Sequence, residues 1–134
     1  MTRAHRLYVG TIGEGLFRST DGGASFTRTC EGMFVECHVR ALAVHPRDDR
    51  TLYLGTEHGV MYSPDAGKTW KPLQQNLPTV PVHDLVVKGD DLVVGTHGRS
   101  IWILDDLGPV RETTDAIRAK KEHLVPIQPT IRWR

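Results

Sequence analysis

The sequence lacks several features that would place a protein in a function class at once. Its 134 residues carry 17 Lys and Arg against 16 Asp and Glu, a net charge of +1. This balance gives no electrostatic reason to expect nucleic acid or an acidic membrane surface as a partner. Every apolar run is far shorter than the about 18 residues of a membrane span. The N-terminus also lacks the apolar segment of a signal peptide. We therefore expect the chain as written to be cytoplasmic, although a longer parent could be exported.

Cysteine is scarce, and the two that occur, Cys30 and Cys37, are too few for the disulfide framework of a small secreted domain. They fit a reducing compartment, although a single bridge between them stays open. The order Cys-x6-Cys-His-x6-His, which continues through His38 and His45, matches no common zinc module. The sequence therefore predicts neither a metal nor another cofactor.

What the sequence does contain is a repeat. Residues 7–11, 52–56 and 92–96 share the pattern Leu-x-x-Gly-Thr, with starts 45 and 40 residues apart. Each copy is followed by a glycine turn and a second apolar run. Short runs of this kind, rich in β-branched residues and bounded by turns, predict strands. Four strands in a period of about 40–45 residues are typical of a β-propeller blade.

The predicted fold is all-β: a partial β-propeller of about three four-stranded antiparallel blades, a short C-terminal helix and an extended tail. Polar residues at 47–50 and 88–91 are predicted to form hairpin tips. A helix is predicted over 116–122, where Thr113, Thr114 and Asp115 offer caps. The predicted boundaries are residues 1–106 for the propeller, with blades at about 7–29, 39–73 and 82–106, and residues 107–134 for the linker, helix and tail.

This number of blades is too small for a closed ring, since a propeller has at least four. The chain is therefore expected to be a fragment of a larger propeller, or to complete itself by association. An open arc leaves two apolar blade faces in water, which favours contact with other blades. The expected partners are blades of a parent chain or of another copy of this chain.

A second repeated motif lies after the glycine turns. Residues 19–26 and 63–70 both fit Ser-x-Asp-x-Gly-x-(Ser/Thr)-aromatic. In such a turn the aspartate accepts hydrogen bonds from nearby backbone N–H groups, the glycine permits positive φ, and the aromatic ring packs on the blade core. These residue types indicate a structural role rather than catalysis. The residues concerned are Ser19, Asp21, Gly23, Ser25 and Phe26 in the first copy, and Ser63, Asp65, Gly67, Thr69 and Trp70 in the second.

The motif resembles the Asp-box, or bacterial neuraminidase repeat (BNR), of the sialidase-like and sortilin-like β-propeller superfamily. The third repeat departs from it, because Ile103 replaces the serine ahead of Asp105. Residues 95–106 instead look like the closing blade of BNR-like or sortilin-like propellers, some of which are labelled glycosyl hydrolases. The resemblance implies a C-terminal propeller fragment whose Asp-boxes are peripheral structural hairpins, away from the active face.

The same resemblance implies that the loops between second and third strands, and the connections between blades, form the ligand face. Glu57 and His58 could share acid and base roles there, yet the sequence identifies no opposed pair of carboxylates and no Arg-Ile-Pro segment of the sialidases. We therefore expect most of the ligand-face residues to be solvated polar groups without a catalytic role. The candidates are Glu14, Glu57, His58, His97 and Arg99 in the loops, Cys30, Glu36, Cys37 and His38 in a connection, and Arg40 and His83 at strand starts.

Two further residues have competing interpretations. Arg99 would either hold a carboxylate or phosphate ligand or form an ion pair with Asp105 or Asp106, and the ion pair is favoured because structural pairs are common. Trp102 would be a core aromatic or a platform for a sugar, and its place within a predicted strand favours the core.

The favoured function is a non-catalytic BNR/Asp-box propeller segment that acts as a scaffold for protein or glycan binding, and that is not active by itself. The alternative is a fragment of a sialidase-like glycoside hydrolase, an exo-glycosidase whose catalytic residues lie largely outside this chain. A photosystem assembly factor is a third interpretation, since some of these resemble Asp-box propellers.

Overall fold

The computed structural model describes residues 5–34, 36–126 and 129, and it confirms an all-β partial propeller followed by short helices. Three antiparallel sheets follow one another along the chain, each built of strands consecutive in sequence. The first sheet contains β1 (Leu7–Gly10), β2 (Leu16–Ser19) and β3 (Thr27–Arg28). The middle sheet contains β4 (Val39–His45), β5 (Asp48–Thr56), β6 (Gly59–Ser63) and β7 (Lys71–Pro72). The third sheet contains β8 (Val82–Lys88), β9 (Asp91–Thr96) and β10 (Ile101–Leu104).

Four strands are found in the middle sheet, whereas the first and third sheets have three each within the described residues. The third sheet has no outer strand there because the chain turns at Asp106, whose φ is +57°, and enters a helix two residues later. The hairpin tips are also tighter than predicted. Asp48 and Lys88 already pair in their strands, so the turns consist of residues 46–47 and 89–90.

The glycine of the repeated Leu-x-x-Gly-Thr pattern brings neighbouring sheets together. A Cβ atom on Gly10 would lie 2.6 Å from Val39 Cγ1, and one on Gly55 would lie 2.7 Å from Val82 Cγ1. Each valine begins the inner strand of the next sheet, so a side chain at either glycine would push the sheets apart. The pattern therefore specifies contact between sheets as well as a strand.

Two apolar cores lie on either side of the middle sheet. Leu52 and Leu54 of β5 pack with Leu16 against the first sheet, whereas Tyr53, between them, packs with Val94 against the third. Successive side chains of a strand point to opposite faces, which explains the alternation. Because both faces are covered, β5 reads as an unbroken apolar run rather than an alternating one.

The two predicted aspartate turns, residues 19–26 and 63–70, have the same hydrogen bonds. In the first, Asp21 Oδ1 accepts from Ser25 N (3.0 Å), and Asp21 Oδ2 accepts from Ser25 Oγ (2.6 Å). In the second, Asp65 accepts from Thr69 N (2.9 Å) and Thr69 Oγ1 (2.7 Å) in the same way. In both turns the serine two positions earlier donates to the aspartate over 2.7 Å. The two sequences therefore form one turn built twice.

The aromatic residues that end these turns behave differently. Trp70 is 3% exposed, and its Nε1 donates to the carbonyl of Thr29 in the first sheet (3.1 Å). Phe26 is 44% exposed, so the prediction that its ring packs on the core is wrong. The reason is positional, because Trp70 packs backward onto the preceding sheet. No described sheet precedes the one that carries Phe26.

The C-terminal segment forms two short helices. The first, α1 (Gly108–Glu112), was not predicted and has a proline in its first turn, a favourable position. The second, α2 (Asp115–Arg118), begins one residue before the predicted range and ends four residues before its end. Thr114 caps α2 by accepting from Ile117 N. Within the described residues no helix has the length and apolar character to cross a membrane. The predicted tail beyond residue 126, Pro129 excepted, lies outside the described residues.

A polar cluster around the buried His45 attaches α1 to the hairpin end of the middle and third sheets. His45 Nδ1 accepts from Arg47 N (3.2 Å), and His45 Nε2 lies 3.0 Å from an Arg111 guanidinium nitrogen. Arg111 also donates to Asp90 Oδ1 (3.3 Å), and Arg47 forms an ion pair with Asp90. Burial, followed by the Arg111 charge, lowers the pKa of His45 below its ordinary value. The neighbouring Asp90 and Asp48 charges oppose this effect without overcoming it.

We expect Asp65→Ala to destabilise the protein by about 1–2 kcal/mol, because backbone N–H groups of the partly buried turn lose their acceptor. Burial alone would raise the pKa of Asp65, but the hydrogen bonds from Thr69 and Ser63 outweigh it and hold the pKa below its ordinary value. Equilibrium unfolding in urea measures the change. Asp21→Ala, in the exposed copy of the same turn, is the matched control and should cost less. An unaltered unfolding midpoint for Asp65→Ala would contradict the structural role of the turn.

We expect stability to fall as the pH drops from about 8 to about 5, partly through His45. Below the ordinary histidine pKa near 6.5, the unfolded chain takes up a proton that the buried ring resists, so protonation favours unfolding. His45→Gln should flatten the pH dependence of the unfolding free energy. His123→Gln, at an exposed histidine, should leave it as in the wild type. Equal slopes for wild type and His45→Gln would disprove this role of His45.

Candidate functional site

The loops predicted to form a ligand face lie at one end of the three sheets. In each sheet the loop follows the strand that carries the Leu-x-x-Gly-Thr pattern, which is β1, β5 or β9. The first and middle sheets are held in line there, since Val39 N donates to the carbonyl of Thr11 (3.0 Å). In the third sheet, His97 N donates to the carbonyl of Pro81 (2.9 Å) and extends the pairing of β8 with β9. We call this end the loop face. It consists of residues 11–15, 57–58 and 97–100, together with the starts of β4 and β8.

Glu57 is the centre of an ionic cluster on this face. Arg40 Nε donates to Glu57 Oε1 over 2.7 Å, and a second nitrogen of the same guanidinium donates to the same oxygen. His38 Nδ1 lies 3.2 Å from that oxygen as well. The hydrogen bond from Arg40 lowers the pKa of Glu57 below its ordinary value, against a smaller opposing effect of burial and with help from His38. Glu57 is therefore a carboxylate at neutral pH.

Arg40 reaches Glu57 because of a β-bulge. The pairing of β4 with β5 shifts between Val39 and Ala41, which leaves Arg40 as the unpaired extra residue. A bulge re-aims a side chain at the rim of a sheet, and bulges are frequent beside functional sites. The sequence placed Arg40 near a strand start but gave no sign of the bulge.

The third sheet repeats this arrangement with different side chains. Its pairing shifts between Val82 and Asp84, so His83 occupies the bulge position of Arg40. The His83 ring lies 4.9 Å from the ring of His97, centroid to centroid, at 33°. His97 follows Gly-Thr, as Glu57 does in the middle sheet. The loop face therefore has one recurring contact between a bulge residue and a loop residue.

An apolar cleft of about 340 Å³ adjoins the Glu57 cluster. The Phe34 ring packs edge-on against His58, with centroids 5.0 Å apart, and Phe34 is itself largely exposed. The sequence analysis missed Phe34, although an aromatic residue in the glycine-containing connection between blades was a usable signal. Residues that line the cleft include Phe34, His58, Val60, Met61, Pro72 and Thr79.

The remaining loop candidates are not gathered into the Glu57 cluster. Glu14 is exposed in the first sheet's loop, where its backbone carbonyl accepts from Arg28 Nε (2.7 Å). Arg99 is exposed in the third sheet's loop, and Trp102 Nε1 donates to its carbonyl (2.8 Å). Trp102 is half-buried against the core between the middle and third sheets.

The favoured ion pair of Arg99 is not found, since the ion pairs formed among residues 5–34 and 36–126 do not include it. The Asp106 carboxylate accepts from the backbone N–H of Gly108 (3.0 Å). This local bond caps the entry to α1 and holds the aspartate beside the helix rather than over the loop face.

The two cysteines have free thiols. Burial, together with smaller effects of the nearby Cys30 and Glu57, raises the pKa of Cys37 to about 11. A thiol with so high a pKa is a poor nucleophile at neutral pH. In the described part of the chain no three His, Cys, Asp or Glu side chains are grouped so as to hold a metal ion.

Comparison with known proteins gives no family for this chain: no family model matches it, and neither does any curated protein. Solved structures do match. An ancestral GH74 enzyme aligns with a TM-score of 0.62 and 22% identity over 72% of this chain, and 12% of that chain is covered. The GH74 enzyme of Niastella koreensis aligns with a TM-score of 0.60 and 22% identity over 70% of this chain and 16% of its own.

A third similar structure is YCF48 bound to a D1 peptide, with a TM-score of 0.61 and 18% identity over 77% of this chain and 35% of that chain. All three are β-propeller folds. The chain thus spans 12% to 35% of the length of these structures. At these identities the likeness establishes the fold alone, and the chain is a propeller-like segment.

Proposed function

We propose that this chain is a segment of an Asp-box (BNR) propeller that acts as a non-catalytic scaffold and binds a partner protein through its loop face. In this proposal residues 1–106 are the propeller segment, with blades at about 7–29, 39–73 and 82–106, and residues 107–134 are the linker, helix and tail. The equal hydrogen-bond patterns around Asp21 and Asp65 support the assignment to Asp-box repeats.

The observation that carries the proposal is that the charged Glu57 cluster lies beside the apolar cleft lined by Phe34 and His58. His58, which lines the cleft, directly follows Glu57 in the chain. Protein-binding surfaces combine an apolar centre, often aromatic, with a polar rim that sets orientation. Phe34 supplies the exposed aromatic ring, and the Arg40–Glu57 pair supplies the rim. An extended peptide with one apolar side chain and a neighbouring charge fits this arrangement.

The state of Glu57 favours binding over catalysis. A glycosidase needs one protonated carboxylic acid and a second carboxylate at a fixed separation from it. Arg40 and His38 hold Glu57 in the ionised form, which is the reverse of what a general acid requires. Glu14, the other carboxylate among the loop candidates, is in the loop of a different sheet. YCF48, whose structure contains a bound peptide, provides a structural precedent for peptide binding by a propeller of similar fold.

We expect Phe34→Ala to weaken peptide binding at least tenfold, because Phe34 is the large, exposed aromatic ring in the lining of the cleft. The probes are a random 12-residue phage-displayed peptide library, for selection, and the selected synthetic peptides, for titration by calorimetry. Glu57→Gln should weaken binding as well. The Glu57→Gln variant should stay folded, since the Arg40–Glu57 ion pair that it loses is partly exposed and such pairs contribute little to stability. Lys88→Gln, at the opposite end of the sheets, is the matched control.

Selection of peptides whose affinity is the same for wild type and both loop-face variants would refute the proposed surface. A glycan array run in parallel separates the two ligand classes. Glycan binding that is lost with Phe34→Ala, in the absence of any peptide ligand, would replace the protein partner by a carbohydrate.

A second candidate function is a fragment of a glycoside hydrolase, and the observation that favours it is that two of the similar structures are GH74 enzymes. Because the chain spans a small part of those structures, catalytic residues would lie largely outside it. Hydrolysis of fluorogenic glycosides, sialosides included, by a longer protein that contains this segment would support that function. Retention of the activity in Glu57→Gln would place the chemistry on other blades.

A further inference from the structure

A second cavity, of about 480 Å³, lies between the outer part of the middle sheet and the C-terminal helices. Its apolar lining consists of Pro72 and Leu73 on the side of the sheet and of Pro109 and Val110 in α1. This volume is within the range of about 300–1,000 Å³ that is usual for small-molecule sites. The function proposed for the loop face makes no use of this cavity.

The cavity is separate from the cleft at Phe34. Met61 lines that cleft, whereas Tyr62, the next residue of β6, lines the cavity. Successive side chains of a strand point to opposite faces, and these two residues accordingly belong to different cores, so the middle sheet stands between the two sites. Pro72 and Gln74 border both sites at the edge of the sheet. Variants on either face therefore test the two sites independently.

Arg118 of α2 brings a positive charge to the cavity. It lines the cavity and is exposed, so its charge lies where the cavity opens to solvent. One guanidinium nitrogen donates to the Tyr62 hydroxyl (2.9 Å), which uses one of the five N–H donors of an arginine. Within residues 5–34 and 36–126, no carboxylate forms an ion pair with Arg118.

The acidic residue of the same helix is already engaged. Asp115 accepts from Lys71 (2.5 Å), and this hydrogen bond lowers the pKa of Asp115 below its ordinary value, with a smaller contribution from the Arg118 charge. Arg118 is therefore a cation at a cavity opening whose close carboxylate partner is not supplied by the described part of the chain.

Neutral polar groups lie beside this charge. The Tyr62 hydroxyl accepts from Arg118, so its own proton is left for a further acceptor. Gln75 also lines the cavity, and its side-chain amide has no hydrogen-bond partner among the described residues. Its φ of +43° is uncommon for a residue other than glycine, and such backbone conformations are concentrated at ligand sites. The polar donors thus gather at one end of the cavity.

The other end continues into an apolar space. A smaller cavity of about 50 Å³ adjoins the first, since Leu73 and Gln75 border both. Trp102 and Leu104 of the third sheet line this extension. A ligand that reaches from Arg118 to Trp102 therefore needs a charged end and an apolar end.

We propose that this cavity binds a carboxylate with an apolar body, whose carboxylate pairs with Arg118 and whose apolar part contacts Leu73 and Val110. A guanidinium offers two parallel N–H groups that match the two oxygens of a carboxylate. The apolar walls favour a singly charged group over a phosphate dianion, which loses more hydration on burial. A free small molecule and the C-terminus of a peptide both present this chemistry. The site goes beyond the proposed loop-face function and does not depend on it.

Titration of the chain with phenylacetate, followed by heteronuclear NMR, gives the first test. Phenylacetate should bind about tenfold more tightly than phenylacetamide, its neutral isostere, because only the carboxylate pairs with Arg118. The amide signals of Leu73 and Val110 should shift with the added ligand. Equal affinity for the two compounds, or no binding of phenylacetate at millimolar concentration, would overturn the proposal.

Substitution of Arg118 gives the second test. Arg118→Gln should bind phenylacetate as weakly as phenylacetamide, and Arg118→Lys should restore part of the difference, because it keeps the charge without the planar fork. Lys120→Gln is the matched control, since it removes an exposed positive charge close to α2 but outside the lining of the cavity. It should bind as the wild type does. Wild-type affinity for phenylacetate in Arg118→Gln would disprove the site.

Two tripeptides that end in phenylalanine, one with a free C-terminal carboxylate and one amidated, separate the two sources of ligand. Tighter binding of the free tripeptide than of phenylacetate, lost on amidation and in Arg118→Gln, would identify the C-terminus of a peptide. Binding no tighter than that of phenylacetate would identify a small molecule. Phe34→Ala should leave every one of these affinities unchanged. Loss of phenylacetate binding in Phe34→Ala would place the carboxylate on the loop face and overturn this cavity as its site.

Discussion

Close contact between consecutive sheets is the interaction on which the rest of this structure depends. Val39 and Val82 lie directly over the glycines of the preceding sheet, at distances that leave no room for a side chain. That contact places Leu52 and Leu54 on one core and Tyr53 on the other. The middle sheet is consequently buried on both faces, and the hydrophobic free energy of folding is concentrated there.

The same contact builds the loop face. Because Val39 and Val82 are fixed at the sheet ends, the bulge residues that follow them, Arg40 and His83, project beside the loops of their own sheets. Arg40 then meets Glu57, and His83 meets His97. Packing energetics and site geometry are thus linked through one short segment at the start of each inner strand. A substitution at Val39 would alter the core and the ionic cluster together.

The hairpin end of the sheets, opposite the loop face, attaches the C-terminal segment. His45, Asp90 and Arg111 join the middle sheet, the third sheet and α1 through a polar network centred on the buried His45. Such a network is stable only while every member has its partner. It ties the C-terminal segment to the hairpin end of the middle and third sheets. The polar network that attaches the C-terminal segment lies at the hairpin end of the sheets. The proposed binding surface, the loop face, lies at the opposite end.

The sequence by itself determined the strands, their antiparallel order and the aspartate turns, because each depends on local patterns: alternation, glycine at turns and a side chain that bonds its own backbone. It also indicated the number of sheets, since the Leu-x-x-Gly-Thr pattern occurs three times. The different exposure of Phe26 and Trp70 could not be read locally, because the motif is the same in both copies and, among the described residues, only Trp70 has a sheet behind it. The Arg40–Glu57 contact and the role of Phe34 likewise came from tertiary structure, because a bulge and an inter-sheet cleft bring together residues far apart in the chain.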